Sequence, residues 1–475
     1  MTEDRSAEGK ATMKDLTQGP ITKHLIALAV PIAIGMLFQT LYVLVDLIFV
    51  SRLGDAAIAG VTTAATAAFV ILALTQTLGV GTVALVAQAV GRKDQAAANL
   101  VFNQSVVLSA LCGAATLLAG LLLSGVYLRA VAADRAVAAA GTAYLIAYTP
   151  GLALQFALVA LGSALRGTGI VRPTMLVQML TVVVNILLAP ILIAGWLTHH
   201  PLGVLGAGLA SSLAVAVGVV MLWIYFARLE HYVGVSSQLW RPHGATIRRI
   251  LGIGLPAGGE FFMMFLILGV IYWVIRGFGP AAQAGFGIGG RMMQALFLPV
   301  MALAFAATPL AGQNFGAHHF ERVRATFRQA AVLSSVLMLL LTAVCQWYPE
   351  VFIRPFSRQP QVVAVGAEYL RIISWNFLAS ALIFSCSGLF QALGNTLPSL
   401  LSSASRIITF VLPAVWLSTR PGFTLAQVWH LSVATVALQA LTSLLLLRRE
   451  FRSKLGTPSQ PTAVPAADGS GAPAR

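Results

Sequence analysis

Charge is what this chain has least of. Asp, Glu, Lys and Arg together make up 9% of its 475 residues, against about 25% in soluble domains. A surface so poor in charge cannot be solvated by water, which excludes an ordinary soluble globule. Cysteine is scarce as well. Cys112, Cys345 and Cys386 are the three present, each inside an apolar run, which points to buried free thiols and away from disulfides or metal ligands. The sequence has no P-loop, no paired-cysteine metal site and no Ser/His/Asp arrangement. No ATP hydrolysis, cofactor or enzymatic step is expected, and any uphill work must draw on an ion gradient. A cleavable leader is not expected either, because residues 1–23 are polar and the first apolar stretch is too long for a signal peptide.

Apolar length is what the chain has in excess. Hydrophobic residues are 58% of it, and the mean hydropathy is +0.85. Continuous stretches of this kind must face lipid, where only helices or closed barrels satisfy every backbone group. Their length, about 20 residues or more, favours helices over barrel strands of about 10. The expected fold is an all-α integral membrane protein with twelve spans: 24–50, 57–88, 97–123, 136–164, 173–196 and 204–227, then 248–276, 282–313, 322–348, 361–390, 398–418 and 425–447.

The chain also repeats itself. Shifted by 225 residues it matches in register without a gap. Pro31 falls on Pro256, Gln88 and Gly91 on Gln313 and Gly316, Tyr144 on Tyr369, Gly169 on Gly394 and Pro173 on Pro398. Each copy holds six spans, so both halves insert the same way up, as a parallel repeat about an axis along the membrane normal. The divisions expected are a polar segment 1–23, an N-terminal bundle 24–227, a linker 228–247, a C-terminal bundle 248–447 and a disordered tail 448–475 rich in Pro, Ala, Gly and Ser. A duplicated apolar unit suggests a transporter with its substrate path between the halves.

Basic residues set the orientation. Arg92, Lys93, Arg166, Arg172, Arg228, Arg241, Arg248, Arg249, Arg322, Arg324, Arg328 and the group Arg448 to Lys454 fall in segments on the N-terminal side of the membrane. Far fewer, Arg52, Arg129, Arg135, Arg276, Arg354, Arg358 and Arg420, fall opposite. The positive-inside rule places both termini in the cytoplasm. The formal charge of +15 is mostly this bias. Its residues are scattered over short loops rather than gathered on one face, so nucleic acid is not an expected partner.

Ionisable residues within spans are functional candidates by default. Asp46, Glu260, Glu368, Arg291, Arg371 and Arg406 are these residues. Gln39, Tyr42 and Asp46 share one helix face by three-and-four spacing, a polar stripe suited to a cavity. Glu260 lies roughly 15 Å above the inner end of its span and Arg291 about as far below the outer end of its own, depths that coincide in a core about 30 Å thick. The expectation is a Glu260–Arg291 ion pair, with Arg406 a second possible partner. Glu368 and Arg371, three apart, are expected to pair locally. The run Phe261 to Phe265, with Met263 and Met264, is soft and polarisable, as promiscuous binding surfaces are. Bulky residues facing lipid or a neighbouring helix are the plainer reading. Gly285 to Gly290 fits G-x-G-x-x-G but lies inside a span, where close helix packing explains it better. His430 reads as a satisfied core residue.

Taken together, these residues resemble the MATE family, multidrug and toxic compound extrusion. The resemblance covers nearly all of residues 20–450. It rests on Pro31 with Leu41-Tyr42-Val43-Leu44-Val45-Asp46, Leu53-Gly54, Gln88-Ala89-Val90-Gly91, Leu165-Arg166-Gly167-Thr168-Gly169 with Pro173, Asn185 with Pro190, and Gly312-Gln313-Asn314-Phe315-Gly316-Ala317. Details of spans 1 and 5 are similar to its DinF-type branch. The resemblance implies a cation or proton site in the first half at Gln39, Tyr42, Asp46 and Asn185, with Ser211 where a Thr is usual. Ala189 departs from the pattern, standing where a second carboxylate is expected. That weakens a full sodium site and favours protons as coupling ion, either at Asp46 or, if coupling has shifted, at Glu260.

The function these readings imply is a cation-coupled multidrug antiporter of the bacterial inner membrane, H+ favoured over Na+. It would export lipophilic or cationic small molecules by alternating access, acting as a monomer in lipid. Glu260, Met263, Met264 and Arg291 are the expected cavity residues. A flippase for lipid-linked sugars and a transporter of endogenous metabolites are the alternatives. An intramembrane enzyme would need converging catalytic groups that the spans do not supply.

Overall fold

The computed structural model describes residues 13–132, 134–196, 199–230 and 232–456, and within α1 the side chains of residues 43, 44, 46 and 47 lie outside that description. The first half contains α1 (Ile21–Ser51), α2 (Asp55–Gly91), α3 (Gln95–Val131), α4 (Arg135–Gly167), α5 (Arg172–Ala194) and α6 (Gly203–Arg228). The second contains α7 (Gly244–Ile275), α8 (Pro280–Gly316), α9 (Phe320–Trp347), α10 (Pro349–Ile353), α11 (Pro360–Ile373), α12 (Asn376–Ala392), α13 (Leu397–Arg406), α14 (Leu412–Ser418) and α15 (Leu425–Leu455). α11 and α12 form one span bent by 57°. α13 and α14 form another, joined by a π turn over Ile407–Val411. With the five-residue α10 lying between spans, the described residues make twelve crossings in two six-helix bundles.

The face carrying Lys93, Gly169, His318, Gly394 and Leu455 is here called the base, and the opposite face the crown. The repeat is written into the backbone of both. Lys93 and His318, 225 apart, hold φ of 58° and 61° in equivalent base turns, and Gly54 and Gly279 hold 100° and 85° in equivalent crown turns. α15 runs on to Leu455, so residues 448–455, expected in a disordered tail, are helical. Leu447 and Leu455 continue its apolar stripe into a buried cluster, and Lys454 pairs with Glu450 at 2.9 Å. The remainder of the expected tail, residues 457–475, lies outside the described residues.

The halves cross over one another. α1 packs on α8 and its counterpart α7 packs on α2. In α2 an unbroken run of burial extends from Thr77 to Gly91, and in α8 nearly every residue from Ala302 to Gly316 is buried. These segments are mates at the 225-residue offset. A helix buried all round belongs at the centre of a bundle, so the base ends of α2 and α8 form the shared core. Toward the crown the same helices carry exposed side chains such as Phe69, Val70 and Leu74.

The halves differ where prolines fall. Pro150 sits inside continuous α4, and the gap in the backbone ladder around it is filled from α6. Ser212 Oγ donates to Ala147 O at 2.7 Å and accepts from Gly151 N at 3.0 Å. At the mate of Pro150 stands Trp375, where the chain breaks between α11 and α12. Likewise α5 is one helix while its mate carries the π turn. Pro413 cannot donate to the carbonyl four residues back and its ring crowds that group, and a π turn just ahead of it absorbs the misfit.

The linker is anchored by polar side chains on the first turns of α3. Asn99 accepts from Gly234 N at 2.7 Å. Asn103 accepts from Ser236 N at 2.8 Å and donates to Gly234 O at 2.9 Å. Gln104 donates to Leu239 O and Arg241 O and accepts from His243 N. Backbone groups that no helix satisfies thus find side-chain partners, as buried backbone must.

Candidate functional site

Three polar centres lie within the apolar bundle. The first is built on Glu260, one turn past Pro256 in α7. Ser387 Oγ of α12 and Ser399 Oγ of α13 both donate to Glu260 Oε2, at 3.0 and 2.7 Å, and the two hydroxyls are 3.2 Å apart. Ser403 is a further hydroxyl neighbour of the carboxyl, and it accepts from Gln439 Nε2 of α15 at 3.2 Å. Ser402 and Ser443 are 2.7 Å apart one layer further. All these serines and Gln439 are buried.

The expected Glu260–Arg291 ion pair does not form. The described residues contain three ion pairs, all between neighbours on one helix, and none includes Glu260. Depth matched, but helical phase did not. Ile288 and Met292 pack on the core of the second half, and Arg291, about 100° round the helix from Met292, is exposed. Arg406 is no partner either. Its guanidinium stands 5.3 Å from the centroid of the Phe410 ring. Glu260 therefore sits in a shell of hydroxyls. A hydroxyl both donates and accepts, so this shell can satisfy the carboxyl with or without its proton. An arginine, a donor only, would serve the ionised form alone.

The second centre lies in the first half. Asn185 of α5 and Ser211 of α6 are fully buried, and Asn185 Nδ2 donates to Ser211 Oγ at 3.3 Å. Among the described residues Asn185 Oδ1 has no donor. Ala189, one turn further along α5, is also fully buried. On α1, Tyr42 is half-buried and Gln39 exposed. Asp46 lies one turn beyond Tyr42 on the same helix, and its side chain falls outside the described residues. The structure thus brings Asn185 and Ser211 together, while Gln39 is exposed on α1.

The third centre was not legible as such. Arg166, which reads from sequence as an inner-loop cation, is the penultimate residue of α4 and faces a narrow, half-open recess between the halves with about 20 Å3 of free room. From the first half the recess is lined by Gln76, Gly79, Val80 and Val83, and from the second by Phe305, Thr308 and Gln391. Phe305, Thr308 and Gln391 are the repeat mates of Val80, Val83 and Arg166, so the recess straddles the axis relating the halves. Arg166 Nη2 donates to Ser163 Oγ at 2.8 Å, and its buried Nε has no acceptor among the described residues. The signal available in the sequence was that Arg166 has Gln391 as mate, a charged–neutral mismatch at an otherwise matching position.

Below the recess the base is shut. Gln88 Nε2 donates to Ala392 O at 2.8 Å, and Gln313 Nε2 to Gly167 O at 3.1 Å. A Cβ on Gly91 would stand 2.0 Å from Gln313 O, and one on Gly316 would stand 2.1 Å from Gln88 O. Residues 14–16 lie across the seam. Lys14 N donates to Thr168 O at 3.0 Å and Leu16 N to Gln313 Oε1 at 3.0 Å, while Asn314 Nδ2 donates back to Leu16 O.

Other singled-out residues fall elsewhere. Met263 is half-buried and Met264 exposed, within one turn of Glu260 on α7. Glu368 and Arg371 do not pair. Both are exposed, and Arg371 lines a surface recess near the crown with Trp347, Tyr348 and Arg354. His430 is exposed rather than core, with Nδ1 2.7 Å from Ala426 O. Gly285 and Gly289 let α8 approach Val365 and Tyr369 of α11, which accounts for the glycine run. Cys345 and Cys386 are buried and Cys112 half-buried.

A family model described as MatE matches residues 31–191 and 256–417, one match in each half. "Probable multidrug resistance protein YpnP" of Bacillus subtilis is 26% identical over 416 residues, 87% of this chain and 90% of its own length. "Multidrug export protein MepA" of Staphylococcus aureus is 24% identical over 443 residues, 91% and 95%. Among solved structures, a MOP superfamily transporter from Pyrococcus furiosus superposes with a TM-score of 0.85 at 25% identity, over 92% of this chain and 97% of its own.

Proposed function

The chain belongs to the MATE family, is a multi-pass membrane transporter of multidrug-exporter type and not an enzyme, and from that premise we propose that it is a proton-coupled antiporter expelling lipophilic small molecules from the cytoplasm. The base, where most of the basic loop residues gather, is the cytoplasmic face of a bacterial inner membrane in this reading. The two bundles rock about the axis between them, opening the recess alternately to crown and base.

The hydroxyl shell of Glu260 carries the proposal. Ser387 and Ser399 hold one carboxyl oxygen, and no described cation pairs with it. A carboxyl so held can exchange a proton without breaking an ion pair. Glu260 and Asp46, one in each half, are then the two carriers. Protonation of Glu260 turns it from acceptor to donor within its shell, repacking α7 against α12 and α13. Since α7 also packs on α2, a change there reaches the seam between the halves. A proton crossing the full membrane field contributes about 2.3 kcal/mol per 100 mV, enough to drive a useful gradient.

The test is export of a fluorescent lipophilic compound from reconstituted vesicles, with proton and sodium gradients imposed separately. Transport driven by the proton gradient alone is expected. A strict sodium requirement would overturn proton coupling and recast the Glu260 oxygens and hydroxyls as ligands of a transported ion.

A further inference from the structure

The third centre has no part in the coupling proposed above, yet it holds a guanidinium short of acceptors. Of the five N–H donors of Arg166, one has a described acceptor, Ser163 Oγ. A guanidinium within an apolar bundle is costly to leave uncompensated, and no acidic residue lines the recess it faces. Its mate across the axis is the neutral Gln391, and Thr308 stands where the first half has Val83. The second half thus adds an amide and a hydroxyl opposite the guanidinium. Gly79 lets α4 come close to α2 here, since a Cβ there would lie 2.9 Å from Val159 Cγ1 and 3.1 Å from Ser163 Oγ, the hydroxyl that holds the guanidinium. Along α2 the recess lies about five to twelve residues above Gln88 of the closure, roughly 7–18 Å at 1.5 Å per residue. It is the innermost point a cargo reaches when the base is shut.

We propose that Arg166 is the seat for an anionic group on the transported compound, a carboxylate, sulfonate or phosphate, with Gln391 and Thr308 completing its hydrogen bonds and the apolar remainder lying against Val80, Val83 and Phe305. Planar, doubly donating recognition of such a group is what a guanidinium does best. Cargo carrying a negative group on a lipophilic body, zwitterions included, is then preferred to its neutral analogue. This rests on the reading of the chain as an exporter and names its substrate class.

The test is equilibrium binding to the full-length protein in nanodiscs, with no gradient imposed. The probes are dansyl-phenylalanine and its neutral methyl ester, with empty nanodiscs correcting for partition into lipid. The wild type is expected to favour the acid by about tenfold, the discrimination of one charge-assisted hydrogen-bonded pair. R166Q, which installs the residue of the mate, should bring the ratio to about one, and Q391R should raise it above wild type. An acid-to-ester ratio near one in the wild type, or an unchanged preference in R166Q, overturns the proposal. Should R166Q not fold, the wild-type ratio and Q391R decide it, and a Q391R ratio no higher than wild type counts against it. Because binding is read without transport, failure of the exporter reading shows separately, as absent export in the vesicle assay.

Discussion

Gln88 and Gln313 make the same hydrogen bond in opposite directions across the molecule. Each spends its side-chain amide on the carbonyl at the base end of a helix in the other half, Ala392 and Gly167 respectively. Those carbonyls are themselves repeat mates. The base is thus closed by one interaction used twice, and whatever opens it must break both.

Replacing Gln88 or Gln313 by leucine removes a donor and leaves a buried carbonyl unpaired, at a cost of about 1–3 kcal/mol to the closed base. Spin labels at Lys93 and His318, one in each base turn, should report a longer and broader distance in either variant, more so in the double variant. Unchanged distances would show that packing and not these bonds holds the base shut.

Gly91→Ala and Gly316→Ala act by sterics. The added Cβ meets a backbone oxygen of the other half at 2.0 or 2.1 Å, a contact that no side-chain rotation relieves. Either variant should fold, since the clash lies between halves, yet stay open at the base and lose export. Cysteines placed at the recess should become reactive to a reagent added from the base side. A variant that still closes would place the seam's freedom elsewhere.

Glu260→Gln keeps the shape of the side chain and removes its proton exchange. Proton-driven export should fall to that of empty vesicles while stability changes by about 1 kcal/mol or less. Asp46→Asn supplies the parallel test in the first half. Loss in both means that both carriers are obligatory, and loss in one assigns coupling to that half. Ser399→Ala should retain export and alter its pH profile, because it removes the shorter of the two hydroxyl bonds to Glu260.

Asn103→Leu strips two bonds from the linker, the one accepted from Ser236 N and the one donated to Gly234 O. A loss of about 2–4 kcal/mol of local stability is expected, read as faster proteolysis between residues 230 and 243 with the bundle intact. Resistance equal to wild type would mean that Asn99 and Gln104 suffice.

The order of the spans is legible where periodicity and repetition carry it, and the site is legible only in part. Asp46, Asn185 and Glu260 stood out as polar residues in apolar runs. Asn185 and Ser211 do meet, because their helices are adjacent in the chain and pack along their length. Glu260 and Arg291 do not, because matching depth leaves helical phase open. The serines around Glu260 escaped notice since serine is ordinary in membrane helices, and Ser387, Ser399 and Ser403 become a shell only when α7, α12 and α13 converge. In the sequence Arg166 reads as a loop residue because its neighbours Gly167 and Gly169 read as a turn. The helix in fact carries it one residue short of that turn and aims it inward.

The class, the twelve crossings and the two-fold repeat follow from the residues in order, because the need to pair every backbone group in lipid acts on each apolar run locally and duplication is a property of the string. Which polar groups share a site is settled by packing in three dimensions. Bringing Glu260 to its serines, Arg166 to Gln391 and Gln88 to Ala392 depends on helix rotation and on which bundle faces which. Those are fixed by close packing of small residues such as Gly91, Gly254 and Gly316 across the seam, contacts between segments far apart in the chain that no local pattern records.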